Sequence, residues 1–201
     1  MTVTPSNRFL TCLPFTLTQE APYPSQWGNP KNFSNDPGDP GGKTMDGIIQ
    51  VEYDKYRTQH GLPRQDVRLI SETEGDDIYL NNYWLPYCPD LPVGMDMMFF
   101  DTAVNEGTGE AVKILQFSLR LAVDGKWGPK TEAAVQAISD VPASIKAFGA
   151  RRHVVYEDTR GFTRFGKDWE RRDAEITAAA LKMTTDSLAP VAQGQQSATS
   201  G

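Results

Sequence analysis

Glu20, Asp36, Asp39 and Thr44 are the residues whose types and spacing could do chemistry. Glu20 closes a stretch with Phe9, Leu10, Leu13 and Leu17, so its carboxyl has apolar and aromatic neighbours. Asp36 and Asp39 follow on a Gly/Pro-rich run, NDPGDPGGK, which is a wetter setting. Environments of these two kinds push carboxyl pKa values apart, so that one group donates a proton while another stays charged. Hydrolysis of a glycosidic bond uses that division of labour. Gly41-Gly42 lets the backbone turn at positive φ, and Thr44 is placed to cap a following helix. Plainer readings stand beside these: a solvated charge at a helix end for Glu20, turn chemistry for the two Asp-Pro pairs, and a cap alone for Thr44.

The elements that must position these groups read as mostly helical. Residues 6–19 carry one apolar face at helical spacing, with Ser6 or Asn7 as N-cap and Pro14 inside. Residues 21–43 form a long loop, and such loops are usually functional or mobile. Its Trp27, Tyr23 and Phe33 either cap the core beneath it or wall a sugar-binding cleft. Residues 44–60 read as a helix, followed by a short one near 67–70 and another over 74–84. Residues 95–106 read as a buried helix broken by Gly107, and 110–121 as the next. Asp124-Gly125 signals a tight turn. Helices are expected over 131–138, 142–156 and 169–183, and 186–201 as a flexible tail.

Composition closes off other chemistries. The net charge of −6 argues against a general nucleic-acid binder, and it lies wholly in residues 1–100. Two Cys without CxxC and two His without HExxH make a zinc hydrolase improbable. There is no GxSxG elbow, P-loop or GxGxxG pattern. No stretch reaches the roughly 20 apolar residues of a membrane span. Cys12 and Cys88 are either reduced core residues or one bridge. Residues 145–172 are locally basic and either attract an anionic surface or form a solvated helix face with i,i+4 pairs. Residues 1–8 lack an export-signal pattern, which predicts a chain kept in a bacterial-type cytoplasm or leaving by an unconventional route.

The block NDPGDPGGKTMDGI resembles the NDPADPGGxTxxGI signature of glycoside hydrolase family 108, peptidoglycan muramidases with a lysozyme-like fold. In that family a Glu, usually in EGG, ends the first helix shortly before the block. Glu20 fills that place, followed here by Ala21-Pro22 and an insert that includes Trp27. The likeness continues in order. Asn82-Tyr83-Trp84 resembles the YW segment, and Phe100-Asp101-Thr102-Ala103-Val104-Asn105-Glu106-Gly107 resembles the FDxAVNxG helix. The segment from Leu115-Gln116 to Thr131 resembles LQ…DGxxGPxT, which is often labelled a predicted peptidoglycan-binding region. Trp169-Glu170-Arg171-Arg172 resembles the closing W-x-R element.

The resemblance implies a mainly α, lysozyme-like domain with a long Gly/Pro-rich active-site loop and little strand. It implies a catalytic part over 1–100, a helical part resembling the peptidoglycan-binding region over 101–185, and a tail over 186–201. It makes Glu20 the general acid, its pKa raised by apolar surroundings, Asp39 the second carboxylate, and Thr44 the group that orients a water or lines the sugar. Glu52 is a fallback acid. Tyr83, Trp84 and Trp27 become cleft aromatics, with Asp101 and Asn105 four apart on one helix face. Tyr83 and Trp84 could equally pack the core, and Asn105 could bond a sugar acetamido group or satisfy buried backbone. No metal or organic cofactor is implied. The expected partner is bacterial peptidoglycan, with phage tail proteins as a further possibility and no nucleic acid or membrane span. The expected activity is cleavage of the β-1,4 bond between N-acetylmuramic acid and N-acetylglucosamine by a phage endolysin or virion-associated lysozyme. A non-catalytic wall-binding or virion structural protein of the same fold is the alternative.

Overall fold

The computed structural model describes residues 6–24, 26–35, 42–159 and 162–188. Helix α1 spans Asn7–Glu20, and the Ser6 side chain accepts a hydrogen bond from the Phe9 N–H at 3.2 Å. That cap satisfies one of the donors a helix start leaves unpaired. Phe9, Cys12, Leu13, Thr16 and Leu17 make its buried face. Pro14 lies on the exposed side, where its missing N–H costs one helical bond without touching the core. The chain turns extended at Ala21, which leaves Glu20 in the last turn.

A small sheet follows: β1 (Phe33–Ser34), β2 (Thr44–Met45) and β3 (Ile48–Ile49), antiparallel in that order. Met45 faces Phe33 on one side and Ile48 on the other. Asp46 and Gly47 link β2 to β3 with φ of 50° and 80°, the two-residue turn that matches strand twist. The helix expected over 44–60 is therefore shorter. Helix α2 runs Gln50–Gln59 with no side-chain cap, so Thr44 is a strand residue and caps nothing.

Helix α3 (Glu72–Tyr79) opens with a reciprocal Ser71–Glu74 capping box and runs into a π turn over Leu80–Trp84. Helices α4 (Met95–Glu106), α5 (Thr108–Ser118), α6 (Pro129–Gln136), α7 (Val141–Glu157) and α8 (Phe162–Leu188) follow among the described residues. Among the described residues the architecture is mainly α, with this one small sheet.

Helix α4 is the axis. Nine consecutive residues from Met95 to Ala103 are buried, and α1, α5, α7 and α8 all pack on it. Phe9, Trp84 and Phe100 meet edge to face, with ring centroids 5.5–5.9 Å apart. Such pairs add about 0.5–1.5 kcal/mol each beyond their area burial. The expected boundary between residues 100 and 101 falls inside this helix, and one hydrophobic cluster extends from Phe9 to Ala180. Cys12 and Cys88 are both free and buried in it.

Candidate active site

Glu20 sits where α1, the hairpin and α8 meet. Its Cβ lies 3.1 Å from where a Gly47 Cβ would be, and the Tyr79 hydroxyl lies 2.5 Å from the same point. Only glycine fits there, both for its positive φ and for that close approach. Arg172 Nη2 lies 2.7 Å from Glu20 Oε1. No aligned hydrogen bond reaches that buried oxygen, so the contact is an ion pair. The Glu20 side chain keeps 19% of its exposure. Its surroundings are not purely apolar, as the sequence suggested; they include a buried guanidinium.

Behind Arg172 stands a chain of buried charges. Arg172 donates from Nε and Nη2 to the two oxygens of Asp101, at 3.1 and 2.9 Å. Arg152 Nη1 donates to Asp101 Oδ2 at 2.8 Å, and its Nε to Glu106 at 2.9 Å. Asp173 Oδ1 stands 3.9 Å from Arg152 Nε. The Arg152 guanidinium lies over the Tyr156 ring, on which Trp169 stacks. Helical spacing explains the convergence: Asp101 and Asn105 are one turn apart on α4, and Arg152 and Tyr156 one turn apart on α7.

Four carboxylates thus share two guanidinium groups. Burial pushes the Asp101 carboxyl up, but Arg152 and then Arg172 outweigh it and hold the group below the usual range. Glu106 and Asp173 receive less compensation. Burial raises both, Asp173 to about 6, with Arg152 only partly offsetting it.

A second carboxylate lies across the hairpin. Glu52 on α2 accepts from Tyr83 Oη at 2.8 Å and from Asn82 Nδ2 at 3.2 Å. Tyr83 packs 5.9 Å from Tyr79, whose hydroxyl donates to the Asp46 carbonyl at 2.9 Å.

The structure distributes the expected site residues unevenly. Trp84 is 1% exposed and belongs to the core triad, so no face of its ring is open to a sugar. Asp101 is fully buried between two arginines, where it holds Arg172 rather than a ligand. Asn105 does face the same way as Asp101, but its Oδ1 accepts from Tyr156 and Arg152. Trp27 packs edge-on to Tyr79 and lies so close to Gly75 that a Cβ there would be 2.1 Å from its ring. Thr44 is half-buried in β2, its hydroxyl donating to the Gly42 carbonyl at 3.4 Å. Asp39, like Asp36, lies outside the described residues. Asp124 serves the turn, accepting from the Lys126 N–H and the Gln116 amide.

Three participants were not singled out by sequence. Arg172 appeared only within a closing motif and a basic stretch. Arg152 and Arg172 are in fact buried, which removes two cations from any basic face. Asp46 is buried and accepts from the Gly28 N–H and the Asn32 amide, tying the insert to the hairpin. The Asp-Gly dipeptide between Thr44-Met45 and Ile48-Ile49 was the available signal.

A glutamate at the end of the first helix, a hairpin against it and a helical body closing behind define a lysozyme-type glycoside hydrolase. Residues 24–107 match the family model for glycosyl hydrolase 108. A solved structure described as the structure of Brucella abortus SagA is 29% identical, with a TM-score of 0.72, over 90% of this chain and 98% of that one. No curated protein matches the chain by sequence. Residues 24–107 thus resemble glycosyl hydrolase 108, which supports a glycoside hydrolase of the peptidoglycan-degrading, lysozyme type. Glu20 lies just before the matched segment, and Arg172 well after it.

Proposed function

We propose that this chain is an N-acetylmuramidase, cleaving the β-1,4 bond between N-acetylmuramic acid and N-acetylglucosamine with Glu20 as general acid. The observation that carries this is the placement of Glu20: partly open, with Arg172 on its inner oxygen and Asp101 fixing Arg172. A general acid works only within hydrogen-bond reach of the oxygen it protonates, so fixing the carboxyl matters before its acidity does. Arg172 sets the direction of the inner oxygen, which leaves the outer one for the glycosidic oxygen. Asp39 is the second carboxylate in this reading, and Thr44 at the loop's return lines the sugar. The setting we propose is a phage endolysin or virion-associated lysozyme, and immunoblotting purified virions against infected-cell lysates separates these two.

The test is clearing of purified peptidoglycan by wild type and Glu20→Gln. Wild type clears it, and the variant loses roughly 10²–10⁴-fold, the usual worth of a general acid. Reducing-end products identify hydrolysis, whereas an anhydro sugar would indicate a transglycosylase. An inactive wild type that still sediments with the wall would instead mark a non-catalytic binding protein.

A further inference from the structure

Among the described residues, Glu52 is a carboxylate held only by neutral donors. No Lys, Arg or His among those residues pairs with it. Its two oxygens receive one donor each, from Tyr83 and Asn82, whereas an ionised carboxylate offers about four acceptor sites. Capacity for further donors therefore remains, and the residue is not fully buried.

The backbone that supplies those donors is irregular. Asn82 and Tyr83 are consecutive on the π turn of Leu80–Trp84, and both reach Glu52. A wide turn sacrifices helical regularity and is frequent at functional sites. Glu52 is also contiguous with Glu20. The Glu20 Cβ and the Tyr79 hydroxyl both pack on Gly47, Tyr79 packs on Tyr83, and Tyr83 bonds Glu52. Tyr79, itself buried, and the partly exposed Tyr83 thus link the two carboxylates, one at each end. Burial raises both phenols, and the charges of Glu20 and Glu52 raise each further, which registers the same proximity.

We propose that Glu52 binds the glycan beside the scissile bond, accepting a hydrogen bond from a hydroxyl or acetamido N–H of a neutral N-acetylglucosamine residue. An uncompensated negative charge repels the carboxylates of the lactyl ether and stem peptide carried by muramic acid. It attracts donors on the sugar that lacks them, so Glu52 selects which of the two alternating sugars lies beside it. Tyr83 and Asn82 hold Glu52 in place and are positioning residues.

This rests on the muramidase reading but is tested apart from it. In the full chain carrying Glu20→Gln, binding of a neutral chitin tetramer is measured by calorimetry, with and without Glu52→Gln. Loss of the charge weakens binding about tenfold, equivalent to about 1.4 kcal/mol. In the otherwise wild-type enzyme, Glu52→Gln raises KM for soluble glycan strands about as much, with kcat changed less than about threefold. Tyr83→Phe keeps the ring, shifts KM in the same direction by a smaller factor and leaves the melting temperature close to wild type. Unchanged affinity and KM overturn the proposal, as does a drop in melting temperature alone, which would make Glu52 a staple between α2 and the π turn. If wild type clears no peptidoglycan, the muramidase reading fails, while the tetramer titration still reports on Glu52.

Discussion

Arg172 presents its planar fork to two carboxylates at once, Asp101 through Nε and Nη2, and Glu20 through Nη2. A lysine carries the same charge on a single nitrogen and cannot span both. Arg172→Lys is therefore expected to lower kcat by about 10²-fold, the scale of a misplaced catalytic group, in the peptidoglycan-clearing assay. Activity close to wild type would mean that Glu20 needs no anchor. At this scale the sequence was partly legible. Glu20 stood out through its place after an apolar face, and the Glu20–Arg172 contact could not, since 152 residues separate the partners. For Trp84 the sequence left cleft wall and core packing open, and for Asp101 it left only a place on a helix face, because a motif shows which residues recur and not which way a side chain points.

At the scale of elements, α4 joins the aromatic core to the buried arginines. Its interior face supplies Phe100 to the aromatic triad and Asp101 to the arginines in adjacent positions. Phe100→Ala removes a fully buried ring, and the expected cost is about 3–5 kcal/mol, read as a lower denaturant midpoint with an unchanged slope. A loss below about 1 kcal/mol would show that the core relaxes around the cavity. The boundaries of α4 were plain from sequence, an apolar run closed by glycine. The hairpin was not. Ile48 and Val51 at helical spacing suggested one helix over 44–60, but Asp46-Gly47 takes the positive φ angles of a tight turn, and Ile48–Ile49 pairs as a strand. Local turn chemistry outweighed periodicity there. Helix α8 begins at Phe162, earlier than the expected 169.

For the whole molecule, the acidic balance has an internal counterpart. Asp76 and Asp173 are both raised to about 6, chiefly by burial, and Asp96 and Glu106 are raised for the same first reason. A carboxyl raised in the folded state binds its proton more tightly there than in the unfolded chain, so stability grows as pH falls through 6 toward the ordinary carboxyl range. Asp101, Asp66 and Glu74 are lowered and act oppositely, losing their contribution only as pH falls below that range. The melting temperature is expected to be higher at pH 5 than at pH 8, and to drop again toward pH 3. Circular dichroism melts across that span test it, and a melting temperature that declines steadily from pH 8 to pH 5 would contradict it.

The ion-pair chain through α1, α4, α7 and α8 also sets a clock. Arg172 leaves the ribosome 152 residues after Glu20. At about 5–20 residues per second, that is a delay of roughly 8–30 s. During it Glu20 lacks its ion-pair partner, so a newly made molecule holds that carboxylate in place only after Arg172 has emerged, and fragments that stop before Arg172 lack the pair altogether.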